Sequence, residues 1–171
     1  MTGRETNSNT TLFLMELIVV IVFFTLVSVI CVRLFVAASA YSTESVDVNH
    51  AVREAESLSE AWTVCNADLT ELSKLYPDAA LSLDGESCES GTLTIYYGGD
   101  WQPVTEAAYS ELPEGFSVLL SARRVPAVDC YGDRADPAAY AAAAEITAVS
   151  TPENEPVCAL HVDHYLGRDD R

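Results

Sequence analysis

The chain is short of positive charge and, over its first half, short of anything that breaks a helix. Its 171 residues carry 26 acidic and nine basic side chains, a formal net charge of −17, and Lys74 is the sole lysine. An exterior this acidic repels phosphate backbones, which excludes a nucleic-acid partner, and it disfavours adhesion to anionic lipid headgroups. No G-x-S-x-G, P-loop or G-x-G-x-x-G occurs, so the chain offers neither a nucleophile elbow nor a phosphate cradle, and it is read as a non-enzyme that calls for no cofactor. From Glu5 to Tyr76 there is neither glycine nor proline. Those are the strongest local breakers, and without them nothing nearby ends a helix that begins at the front of the chain.

What occupies that stretch changes character along its length. Residues 1–11 form a polar tail expected to lack structure. Leu12 to Ala40 is apolar apart from Glu16 and Arg33, long enough to cross a bilayer if those two charges sit near its interfaces. They would be about 26 Å apart along a helix. A small-x-small site at Ala38-Ser39-Ala40 would fit a secretory signal, but the apolar run is longer than a signal core. Beyond it, Val48, Ala51, Ala55, Leu58, Trp62, Cys65, Leu69, Leu72 and Tyr76 recur in steps of three and four, one apolar stripe on a helix. Pro77 ends the pattern. One continuous helix over 12–76 is expected.

The remainder reads as strands. Residues 92–97 alternate and run into Gly98-Gly99-Asp100, a turn, with a short edge strand at 101–104. Residues 116–125 form the clearest strand, and 145–149 and 157–165 flank the polar segment STPENEP. Asp136-Pro137 before the alanine cluster at 138–144 would cap one short helical turn. The expectation is an α+β fold: a helix, transmembrane over 12–40 and amphipathic over 41–76, whose apolar stripe covers an antiparallel sheet of about four strands within 77–171.

Five cysteines are present. Cys31 lies in the apolar run; Cys65, Cys88, Cys130 and Cys158 come after it. An even number in an exported domain reads as two disulfides, and local pairing favours Cys65–Cys88 and Cys130–Cys158. In CALHVDHY the spacing of Cys158, His161 and His164 invites a metal, but alternate faces of a strand keep the two histidines apart, so no metal site is assigned. Asp129, Asp133 and Asp136 do not match the EF-hand spacing and read as a solvated loop.

The segment Phe13-Leu14-Met15-Glu16-Leu17-Ile18-Val19-Val20-Ile21 resembles the start of the type IV pilin and pseudopilin family, in which an apolar stretch with Glu at its fifth position comes directly after a processing site. The resemblance places Leu12 first and Thr11 just before the cut. Thr11 stands where the family carries Gly, and Leu12 where Phe is usual. The resemblance covers about 20 residues directly, and the long helix leading into an antiparallel sheet is also the family's plan. It implies that Glu16 pairs with the amino terminus of a neighbouring subunit and that a prepilin peptidase processes the chain. It further implies that 41–171 lies outside the cytoplasmic membrane as an acidic domain, and that the chain joins other pilin-like subunits through helix packing in a pilus or secretion pseudopilus. The competing expectation is a single-pass anchored binding or sensor domain that works alone.

Overall fold

The computed structural model describes residues 5–85, 87–151 and 154–168. The chain divides into two units, Met1–Ser45 and Val46–Arg171. Helix α1 (Glu5–Val64) supplies the described part of the first and opens the second. Helix formation thus begins inside the polar segment 1–11 that was expected to be unstructured.

In the first unit every large apolar side chain from Leu12 to Val36 is exposed, from 40 % at Val27 to 77 % at Phe35. Among the described residues none covers this surface. The hydroxyls of Thr25 and Ser28 donate to the carbonyls of Ile21 and Phe24 one turn back, each at 2.8 Å. Those two polar groups are therefore satisfied by the helix itself, as an apolar surrounding requires.

The second unit is α+β. After α1 come α2 (Leu69–Leu75), β1 (Ala80–Leu83), β2 (Gly91–Gly98), β3 (Pro103–Val104), α3 (Glu106–Tyr109), β4 (Gly115–Pro126), α4 (Ala127–Tyr131), a 3-10 turn (Gly132–Arg134), β5 (Ala139–Thr151) and β6 (Pro156–Arg168). The sheet is open and antiparallel throughout, in the order β1-β2-β4-β5-β6 with β3 beside β2. It has six strands rather than about four: β1 carries too few alternating residues to stand out from its loop, and the short edge strand expected at 101–104 is β3, cut to two residues.

The continuous helix expected over 12–76 is broken. α1 stops at Val64, and Asn66 and Ala67 take left-handed backbone conformations (φ 54° and 62°). Ala67 N–H donates to the Trp62 carbonyl and Asn66 N–H to that of Thr63, at 3.0 and 3.1 Å. That is the paired closure of a Schellman motif, with asparagine at the position where only glycine is more at home. Asp68 then caps α2, its carboxylate accepting from Thr70 N–H at 2.7 Å and Glu71 N–H at 3.1 Å. The apolar stripe survives the break. Ala51, Ala55, Leu58, Trp62, Leu69 and Leu72 are all buried, because the turn returns α2 to the same core.

Against them the sheet presents Leu93, Ile95, Val118, Leu120, Ala142, Ala144, Ile146 and Ala148, every second residue of β2, β4 and β5. The alanine cluster is strand, not the helical turn expected after Asp136-Pro137. Alanine favours helix intrinsically, but here it is wanted for size. Ala142 and Ala144 lie in the main core, while Ala139 and Ala141 pack on the other side with Ala127 of α4. A strand covered on both faces has room for little more than a methyl group. Two hydrogen bonds lock α1 to the sheet: Tyr97 Oη donates to Glu54 at 2.9 Å, and Trp101 Nε1 donates to Asp47 at 3.1 Å. Trp101, stacked on Phe116 at 4.1 Å, sits at φ 61° in the turn that shortens the expected strand 101–104 to β3.

Candidate functional site

Glu16 lies on α1 among Leu12, Phe13, Met15, Leu17 and Val20, all exposed. It is the one carboxylate between Thr11 and Val32. α1 is long and apolar enough to cross a membrane. A carboxylate in such a segment is costly unless it reaches an interface or an opposite charge. The Thr11–Leu12 bond, the candidate processing point, lies within α1 rather than in a loop before it. The exposed apolar helical surface over 12–36 is compatible with a membrane anchor.

The cysteines are all free thiols, and the two expected pairings fare differently. Cys65 and Cys88 line one groove of about 710 Å³ together with Asp68, Glu71, Glu89 and Arg124. Their backbones are held side by side: the Cys65 carbonyl accepts from Asp68 N–H at 3.1 Å, and the Cys88 carbonyl accepts from Leu69 N–H at 2.8 Å. Burial, then the charges of Glu71 and Asp68, raise the Cys65 thiol above its ordinary value.

Cys130–Cys158 is a mispairing. The Cys130 thiol lies beside Asp163, and burial first, then the neighbouring Asp163 carboxylate, raises it above its ordinary value. Asp163 sits opposite Ala143 on β5, whereas Cys158 sits opposite Ala148. Five residues of strand separate them by about 16 Å, well beyond the span of a disulfide, which needs Cα atoms within about 7 Å. Cys158 also turns into the main core. The local spacing in sequence misled because α4 delivers Cys130 to the far end of β6.

The histidines of β6 separate as alternation requires. His164 meets the edge of Trp62 at 6.1 Å on the core side, and His161 is exposed, 3.3 Å from Asp163 on the other. Asp136 caps Ala138 N–H at 2.9 Å and pairs with Arg168 at 2.6 Å, which lowers its carboxyl below the usual range. The groove residues Asp68 and Arg124 were not singled out by sequence. Asp68 had a readable signal, an Asx residue immediately before a new helical run; Arg124 had none, since its ion pair to Glu89 at 3.2 Å joins residues far apart in the chain.

Comparison with known proteins returns no match: no family model fits the chain, and no curated protein or solved structure is significantly similar to it.

Proposed function

We propose that this chain is a pilin-like structural subunit, held in a cytoplasmic membrane by α1 and assembling through it into a pilus or secretion pseudopilus, with the domain beyond Tyr41 on the outer side. The observation that carries the reading is Glu16, a lone carboxylate on an exposed, otherwise apolar helical surface. In lipid, burial of apolar surface gives helices no drive to associate, so one charge with a fixed opposite partner sets their register. The resemblance around Phe13–Ile21 supplies the partner, the amino terminus of a neighbouring subunit, and with it a prepilin peptidase acting between Thr11 and Leu12. The proximity of Cys65 and Cys88 suits a domain that matures where disulfides form.

The test is cysteine crosslinking within the membrane segment, comparing wild type with Glu16→Ala and Glu16→Gln. Wild type crosslinks between copies or with other pilin-like subunits and both variants lose it; equal crosslinking in all three refutes assembly through Glu16. A second reading, a solitary anchored binding domain, is favoured by the polar groove beside Arg124. It requires that Glu16→Ala leave function intact.

A further inference from the structure

We infer that Arg33 is the partner of Glu16 between copies: the carboxylate on α1 of one copy pairs with the guanidinium of a second, parallel copy displaced by about 26 Å along the helix axis. The inference rests on the assembly reading above and gives Glu16 a cation that needs no cleavage between Thr11 and Leu12. Glu16 and Arg33 are the two charges between Thr11 and Ala40, and they are of opposite sign. Both side chains are exposed on α1. Neither has an ion pair or a hydrogen bond among the described residues. α1 runs unbroken past both, so the two lie about 26 Å apart along the axis and about 100° apart around it. They are too far apart to pair within one helix.

Charge complementarity selects the occupant and its offset. Two parallel copies in register set Glu16 against Glu16 and Arg33 against Arg33, like charges in a medium that screens little. An antiparallel pair would put residues 41–171 of the two copies on opposite sides of the membrane. A parallel pair offset by the spacing of the two charges brings Glu16 of one copy level with Arg33 of the other and opposes no like charges. Size agrees with sign. At this offset Val20, Ile21, Val22 and Phe23 of one copy lie level with Ala37, Ala38, Ser39 and Ala40 of the other. One and two turns beyond the charges, on the faces that carry them, Val20 meets Ala37 and Phe23 meets Ala40, bulky against small, which lets the backbones approach closely. Because Glu16 and Arg33 occupy different faces of the helix, each copy meets one neighbour through Glu16 and another through Arg33. Such a contact is heterologous, and with an axial step of about 26 Å it closes into neither a dimer nor a ring but propagates as an open filament. A copy lifted by one step carries its Glu16 across the apolar layer to the level of Arg33 in the copy behind it.

The test uses the full chain in the membranes of cells that make it, with Cys31→Ser to remove the native thiol of the segment. Two differently tagged copies are co-expressed, one with Val20→Cys and one with Ala37→Cys. Mild oxidation is expected to give a 20–37 link that carries both tags and is absent when either new cysteine is missing, and no comparable link between two Val20→Cys copies. Arg33→Glu in both copies is expected to lower the link about tenfold, and Glu16→Arg to do the same. The reversed pair, Glu16→Arg with Arg33→Glu, should restore it, and Arg33→Lys should maintain it. A 20–20 link in place of 20–37 overturns the offset. A link indifferent to Arg33→Glu, or one that the reversed pair fails to restore, overturns the pairing. If Glu16→Ala abolishes crosslinking between copies while Arg33→Gln leaves it intact, assembly through Glu16 stands and Arg33 is not its partner; if neither change matters, both readings fall.

Discussion

Oxidising the full chain with a small disulfide such as oxidised glutathione is expected to join Cys65 to Cys88 and to leave Cys130 and Cys158 reduced. The exposed Cys88 attacks the oxidant first; Cys65, whose thiol is held protonated by burial and by Glu71 and Asp68, then displaces the second half of the oxidant. The bond closes a loop of about 24 residues, which by chain entropy stabilises the fold by about 3.4 kcal/mol. For a domain of this size that raises Tm by roughly 10 °C. The loop contains α2, β1 and the turn at Asn66-Ala67, so its closure fastens the end of α1 to the segment before β2. Trypsin reports the pairing directly. Cleavage at Arg53, Lys74, Arg123, Arg124, Arg134 and Arg168 places each of the four cysteines on its own peptide. One mass corresponding to 54–74 joined to 75–123 is the expected product, and reductant should remove both that mass and the gain in Tm. Recovery of 125–134 joined to 135–168 would refute the distance argument against Cys130–Cys158. Four free thiols at equilibrium would show that the shared groove does not bring the sulfurs together.

Other consequences are measurable on the same protein. Leu58→Ala empties a fully buried site between α1 and the sheet and should cost about 2–5 kcal/mol in denaturant unfolding; a loss under about 1 kcal/mol would mean the helix is not seated there. Asp68→Ala removes the cap of α2 and should cost about 1 kcal/mol, with Asp68→Asn retaining most of it. Cys65, Cys130 and Cys158 all have thiol pKa values raised by burial from the ordinary 9.0. The folded state therefore holds protons that the unfolded chain releases first, and stability is full below about pH 9 and falls as pH rises beyond it. Urea midpoints of the reduced protein at about pH 8 and about pH 10 should differ in that sense, and Cys130→Ser should shrink the difference.

The sequence by itself determined the elements whose cause is local. The apolar run 12–40 has no breaker and too little polarity for water, so its helix and its exposed greasy surface come from composition. The stripe from Ala51 to Leu72 comes from a period of three to four, and β2, β4 and β6 from alternation. Where the structure departed, the cause was a capping turn that periodicity does not register or an interaction between distant parts of the chain. α1 ends at Val64 with no glycine or proline because Asn66 and Ala67 close a Schellman motif over buried Trp62 and Asp68 caps the start of α2. The alanine cluster became a strand because α4 and the α1 core crowd it from both sides. The thiols sorted themselves by where the sheet carried them, Cys88 back to the α2 turn and Cys130 away from Cys158. Periodicity is a property of neighbours in sequence and can be read there; the partner of a cysteine and the room beside an alanine are properties of neighbours in space, which exist only once the chain has folded.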